Sequence, residues 1–178
     1  MKKQISAFLL LSAIVFTSCQ NFPTAKVQTT LEQDFSINRT GTTFNESTLI
    51  DATNDADFDK YKRKINSIDI DRVTYTITSF TGPSNQILQN GILSVADADG
   101  KNPINVATFT NLNLSNDLGQ EKDLQTSSAG LARLQDLLRK DPYQAVISYS
   151  GNVNQGPVKM NISLKFYSKL TARIVGSN

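Results

Sequence analysis

From Val158 to Ile174 the chain alternates with a period of two. Val158, Met160, Ile162, Leu164 and Phe166 are apolar, and Lys159, Asn161, Ser163 and Lys165 between them are polar. The same parity runs on through Ser168, Leu170, Ala172 and Ile174. Successive side chains of a strand point to opposite faces, so this segment reads as one strand with a dry face and a wet face. It would span roughly 60 Å at ~3.3 Å per residue, far beyond the usual five or six residues. A bend near Ser168, or a strand that serves two sheets in turn, is therefore expected.

The rest of the chain after residue 26 repeats the strand signal. Val27, Leu31, Phe35 and Ile37 share one parity and polar residues take the other. Arg39-Thr40-Gly41 reads as a turn, with a returning strand over Phe44–Ile50. Ser67–Phe80 is rich in β-branched residues and tyrosine. Its parity changes between Ile68/Ile70 and Val73/Tyr75/Ile77, which predicts a bulge near Asp71-Arg72. Strands follow over Ile87–Val95, Ile104–Leu114 and from Ala145 to Tyr149. Asp99-Gly100 predicts a hairpin with a type I′ turn.

Two segments change to a helical period. Phe58, Tyr61 and Ile65 fall on one face of Asn54–Ile65, with acids at its start, bases at its end and Asn54 as the expected cap. Leu131, Leu134 and Leu138, widened by Leu137, form the apolar stripe of a helix over Ser127–Lys140 that Asp141-Pro142 stops. About seven strands and two helices result. One-sided strands joined by short turns predict a mainly β fold: an antiparallel two-layer β-sandwich, with a partly closed β-barrel as the alternative.

Composition excludes whole classes of chemistry. The 178 residues contain no histidine and one cysteine, Cys19. Imidazole-based triads, His–zinc sites, a thiolate nucleophile within the domain and an internal disulfide are all excluded. Beyond Lys2 and Lys3, 16 basic residues balance 16 acidic ones without a long run of either sign. The electrostatic footprint of a nucleic-acid binder is missing.

The first residues have the layout of an export signal. Lys2 and Lys3 are a basic start, Ile5–Phe16 is apolar but short of the ~20 residues of a membrane-spanning helix, and Thr17-Ser18 are small. Phe16-Thr17-Ser18-Cys19 resembles the lipobox of bacterial lipoprotein precursors, departing from the usual pattern at Phe16, where Leu is common. The resemblance covers residues 1–19 only. It implies a signal peptide over 1–18 and lipidation of Cys19. Gln20, in place of Asp, implies the outer membrane, and the absence of acids in Asn21–Lys26 favours the periplasmic face. Residues 19–26 then read as lipidated cysteine and tether, and 27–178 as the globular domain.

Candidate sites are weak. Asp55, Asp57 and Asp59 are spaced like calcium ligands, but Lys60 and Asn66 stand where an EF-hand needs Gly and Glu. Asp97 and Asp99 lack a following Glu, and a hairpin turn accounts for them. Asp69 and Asp71 share a strand face, so mutual repulsion could raise one pKa. Tyr75, Tyr149 and Tyr167 are expected in the core or along a groove. No catalytic, cofactor or metal residue is assigned. The expected function is a lipid-anchored, non-catalytic binding or scaffold domain, its partner an envelope protein, a glycan or an apolar ligand. A carboxylate-dependent enzyme acting on envelope glycans is the alternative.

Overall fold

The computed structural model describes residues 23–173. The strands are β1 (Thr24–Arg39), β2 (Thr43–Asp51), β3 (Ile65–Phe80), β4 (Ile87–Ala96), β5 (Ile104–Asn113), β6 (Glu121–Asp123), β7 (Gln144–Val153) and β8 (Val158–Arg173). The helices are α1 (Ala56–Tyr61) and α2 (Ser128–Arg139).

Four antiparallel pairings nest inside one another: β1 with β8, β2 with β7, β3 with β6, and β4 with β5. The chain is thus one long hairpin ribbon. Rolling the ribbon adds two further pairings, β3 with β8 and β4 with β7. Two four-stranded sheets result, ordered β1-β8-β3-β6 and β2-β7-β4-β5. This is a β-sandwich of jelly-roll type, two open sheets rather than a closed barrel.

β8 carries the parity read from the sequence along its whole length. Val158, Met160, Ile162, Leu164, Phe166, Ser168, Leu170 and Ala172 are all buried. The strand does not change sheets at Ser168. It pairs with β1 from Arg39↔Val158 to Thr24↔Arg173 without a register shift. Ser168 stays in the buried row because its hydroxyl donates to the Thr29 carbonyl at 3.2 Å. The adjustment falls instead on β3, whose register shifts three times, once between Ile70 and Arg72 where the parity change predicts a bulge.

The core between the sheets centres on Tyr149. Its ring lies 5.0 Å from Phe44, 5.2 Å from Phe109 and 6.0 Å from Phe35, and Tyr75 meets Phe109 edge-on at 5.2 Å. Tilted and edge-on rings at these separations suit the aromatic quadrupole.

α2 packs its leucine stripe on both sheets, against β3 on one side and β5, β4 and β7 on the other. Leu134 and Leu138 are fully buried, and Leu131 and Leu137 are partly so. Ser127 caps the helix, its Oγ accepting from Gly130 N at 3.0 Å and donating to the Asn105 carbonyl at 2.7 Å. The helix start lies so close to β5 that a Cβ on Gly130 would stand 2.5 Å from the Asn105 oxygen.

Several local expectations change. β1 begins at Thr24, inside the stretch read as tether, because residues 24–26 still pair with β8. α1 is only six residues, flanked by 3-10 turns at Ala52–Asn54 and Lys62–Lys64, and its cap is Asp55 rather than Asn54. The Asp55 carboxylate accepts both from Phe58 N at 2.7 Å and from the Thr29 hydroxyl at 2.5 Å, so tertiary contact selects it. The hairpin after β4 is not type I′. Gly100 N bonds to the Asp97 carbonyl, and of Asp99 and Gly100 only Gly100 has positive φ, +79°. β6 is the strand beyond the seven expected; three charged residues offer no period to read.

Leu134→Ala should lower stability by about 3 kcal/mol through lost burial and a residual cavity. Leu49→Ala, on the outer face and 46% exposed, should change it by under ~0.5 kcal/mol. Urea denaturation of the two variants checks the contrast.

Candidate functional site

The bulge at Ile70–Arg72 and α1 frame an open groove of about 790 Å³. Gln28, Thr29 and Thr30 of β1, Tyr167, Ser168 and Lys169 of β8, Asp71 and Arg72 of β3, and Asp55 and Asp57 line it. The bulge turns Asp71 and Arg72 both outward, since Ile70 and Val73 on either side are buried. Two consecutive charged side chains thereby reach one surface.

These charges pair along the outer face of the first sheet. Lys169 Nζ donates to Asp71 at 2.5 Å. Arg72 Nε donates to Asp123 at 2.6 Å, and its guanidinium carbon lies 5.2 Å from the centre of the Tyr167 ring. The Tyr167 hydroxyl donates to Glu121 at 2.9 Å, and Lys165 Nζ lies 3.7 Å from the same carboxylate. β6 therefore contributes to the polar face. Its place could have been inferred only from the pairing, not from its own three residues.

The structure sorts the sequence candidates. Asp55, Asp57 and Asp71 come to one groove, but they do not form a metal site. Asp55 is occupied as a helix cap, Asp59 pairs with Lys62 at 2.5 Å, and no cluster of three or more potential ligands in metal-holding geometry occurs among the described residues. Asp97 is bound by Arg133 and by Asn102 (2.8 Å), and Asp99 by Lys101 at 2.7 Å. Asp71 is not raised by its neighbour Asp69. The hydrogen bond from Lys169, aided by its charge, holds the Asp71 carboxyl below the usual range. Asp51 is also held low, chiefly by the Thr53 hydroxyl at 2.6 Å, with Gln144 adding a bond at 2.8 Å. A general acid needs the opposite shift.

The three tyrosines divide. Tyr75 and Tyr149 are core residues and Tyr167 lines the groove. Burial raises the pKa of Tyr75, and its bond to the nearly buried Asp117 (3.0 Å) adds to the rise. Lys122 neutralises Asp117 from the other side. Burial likewise raises Tyr149, whose hydroxyl meets no partner among the described residues. Cys19 and the leader lie outside the described residues.

The groove offers hydroxyl, amide and paired charged groups with one aromatic face. It can orient a polar ligand by hydrogen bonding. No protein-family model and no curated protein matches the chain. Among solved structures it is similar to a chain of Desmodium yellow mottle tymovirus, at 8% identity over 100% of this chain and 96% of that one, with a TM-score of 0.37. It is also similar to a decameric BFDV capsid protein, at 9% identity over 83% of this chain and 99% of that one, again with a TM-score of 0.37. Likeness at this level carries no argument, so the fold assignment rests on the strand order.

The low carboxyl groups give a pH dependence with a definite sign. A carboxyl whose pKa is lower folded than unfolded stabilises the fold above its unfolded value, and that contribution is lost as pH falls through the folded one. The contribution of Asp51 should therefore be complete at neutral pH and disappear below about pH 4. In Asp51→Asn, thermal melts across pH 7 to 2.5 should show a smaller acid loss than wild type.

Proposed function

We propose that the chain is a lipid-anchored lipoprotein of the bacterial cell envelope, whose β-sandwich serves as a non-catalytic binding or scaffold domain. The observation that carries the reading is Cys19. It is the single cysteine of the chain, it closes a segment with the layout of an export signal, and it stands just ahead of the first strand. Three acyl chains on the processed cysteine would hold the domain to a bilayer, since each buried methylene contributes ~0.8 kcal/mol. Gln20 favours the outer membrane, with the domain on its periplasmic face. No helix among the described residues is long and apolar enough to cross a membrane.

The groove beside the bulge is the surface assigned to the partner. Its lining is polar and most of its charges are already engaged, which favours an envelope glycan or a polar protein segment over an apolar ligand. The second reading, a carboxylate-dependent enzyme acting on envelope glycans, draws on the gathering of Asp55, Asp57 and Asp71. The capping of Asp55 and the lowered pKa of Asp71 weigh against it.

Mass spectrometry of the mature N-terminal peptide should find acyl chains on Cys19, and the wild-type chain should fractionate with membranes. Cys19→Ser should appear in the soluble fraction or as unprocessed precursor. A Cys19→Ser chain that is processed and still fractionates with membranes like wild type would sink the proposal.

A further inference from the structure

Four residues separate Cys19 from Thr24, the first residue of β1. Fully extended, the chain from Cys19 to Thr24 reaches at most about 18 Å. The 16 residues of β1 run for about 50 Å at ~3.3 Å per residue. A lipid on Cys19 therefore holds one end of the sandwich near the bilayer and leaves the other end out of reach unless the domain lies flat.

The register identifies the tethered end. Thr24 lies opposite Arg173, and both Ala25 and Ile65 lie opposite Ala172. Ile65 is entered directly from the turn Lys62–Lys64. Lys26, Arg63, Lys64 and Arg173 thus gather at this end; all four are exposed and have no ion-pair partner among the described residues. Lys60 lies just before them, its ammonium 5.1 Å from the centre of the Tyr61 ring. Carboxylates are present too, but most are engaged. Asp51 accepts from Thr53 and Gln144, Asp55 caps α1, Asp59 pairs with Lys62, Asp71 pairs with Lys169, and Asp136 pairs with Arg139 and Lys140. Asp57, Asp69 and Asp141 remain.

The far end differs. The loops over residues 40–42, 81–86 and 154–157 contain no charged residue. A fourth loop there contributes only Asp117, which is nearly buried and paired with Lys122. Of the strand residues at that end, Arg39 pairs with Glu46, and Lys159 is an exposed cation without an ion-pair partner among the described residues. Reach and the larger group of unpaired cations select the same end. We propose that this end rests on the membrane that holds the acyl chains, with Lys26, Lys60, Arg63, Lys64 and Arg173 against anionic phospholipid headgroups. The inference rests on the lipid anchor proposed above. Thr30, six steps along β1, then sets the groove about 20 Å from the tethered end, opening sideways along the bilayer.

The test uses the full lipidated chain, reconstituted into phosphatidylcholine vesicles with and without phosphatidylglycerol. Acylation of Cys19 leaves no other thiol, so Asn66→Cys at the tethered end and Thr40→Cys at the far end can each be labelled with a fluorophore. Headgroup-spin-labelled lipid should quench the Asn66→Cys label at least about threefold more than the Thr40→Cys label when phosphatidylglycerol is present. Adding Arg63→Glu, Lys64→Glu and Arg173→Glu, all exposed, should bring that difference back to its value without phosphatidylglycerol while leaving the thermal melt unchanged. Equal quenching at both positions, or quenching at Asn66→Cys indifferent to phosphatidylglycerol and to the three reversals, overturns the proposal. Mass spectrometry of the same preparation separates the two failures: an unacylated Cys19 refutes the anchor itself, whereas an acylated chain with equal quenching refutes only the orientation.

Discussion

The register between β1 and β8 is the constraint on which the rest depends. Side chains alternate with a period of two, so a slip of one residue would turn the whole inner row of β8 outward. That row includes Val158, Met160, Ile162, Leu164, Phe166 and Leu170, all buried. Burial of each such side chain stabilises by about 1.5–3 kcal/mol, so the slipped register would cost on the order of 10 kcal/mol, comparable to the net stability of a whole domain. The unshifted ladder follows from this. So does the rolled ribbon, because once β8 is fixed, β3 must fit its other side and β7 is carried to β2.

What could be read from the sequence follows the strength of local periodicity. Long segments with one clean parity, such as 27–37 and 158–174, placed their strands and their buried faces. The parity break in Ser67–Phe80 placed the bulge, because only a change of register keeps Ile70 and Val73 both inside. The helix over Ser127–Lys140 was legible through its leucine stripe and the Asp141-Pro142 stop. Features set by distant partners were not. Asp55 displaced Asn54 as the cap because Thr29, 26 residues earlier, bonds to its carboxylate. β6 exists because Thr74–Thr76 offers it a ladder. That β8 stays in one sheet was missed for the same reason: its length suggests a strand shared between two sheets, whereas here one unshifted ladder with β1 runs its whole length and the register shifts fall on β3.

The groove shows the same division. Each of its charged residues was visible in the sequence, but the sign of their interaction was not. Asp69 and Asp71 read as a repelling pair when only the strand is considered. Pairing with β8 sets Lys169 beside them, and attraction replaces repulsion. The contacts that join Arg72, Tyr167 and Glu121 were not legible in the sequence because each residue belongs to a different strand. Two-residue exposure at a bulge is a common way to aim side chains at one surface, and here it combines Asp71 and Arg72 with residues from β1 and β8.

The topology also bears on how such a domain could withstand an anchor. It has no internal disulfide, so its resistance to unravelling comes from packing and from the ladder itself. β1 is an edge strand, ordinarily the easiest to remove. Its start lies beside the end of β8. A pull at Thr24 directed along the strand loads the 16 paired positions of β1 and β8 together, in shear, rather than opening them one at a time. The same pull directed across the strands would unzip the edge. An antiparallel pair whose hydrogen bonds run perpendicular to the strands is arranged to share a lengthwise load.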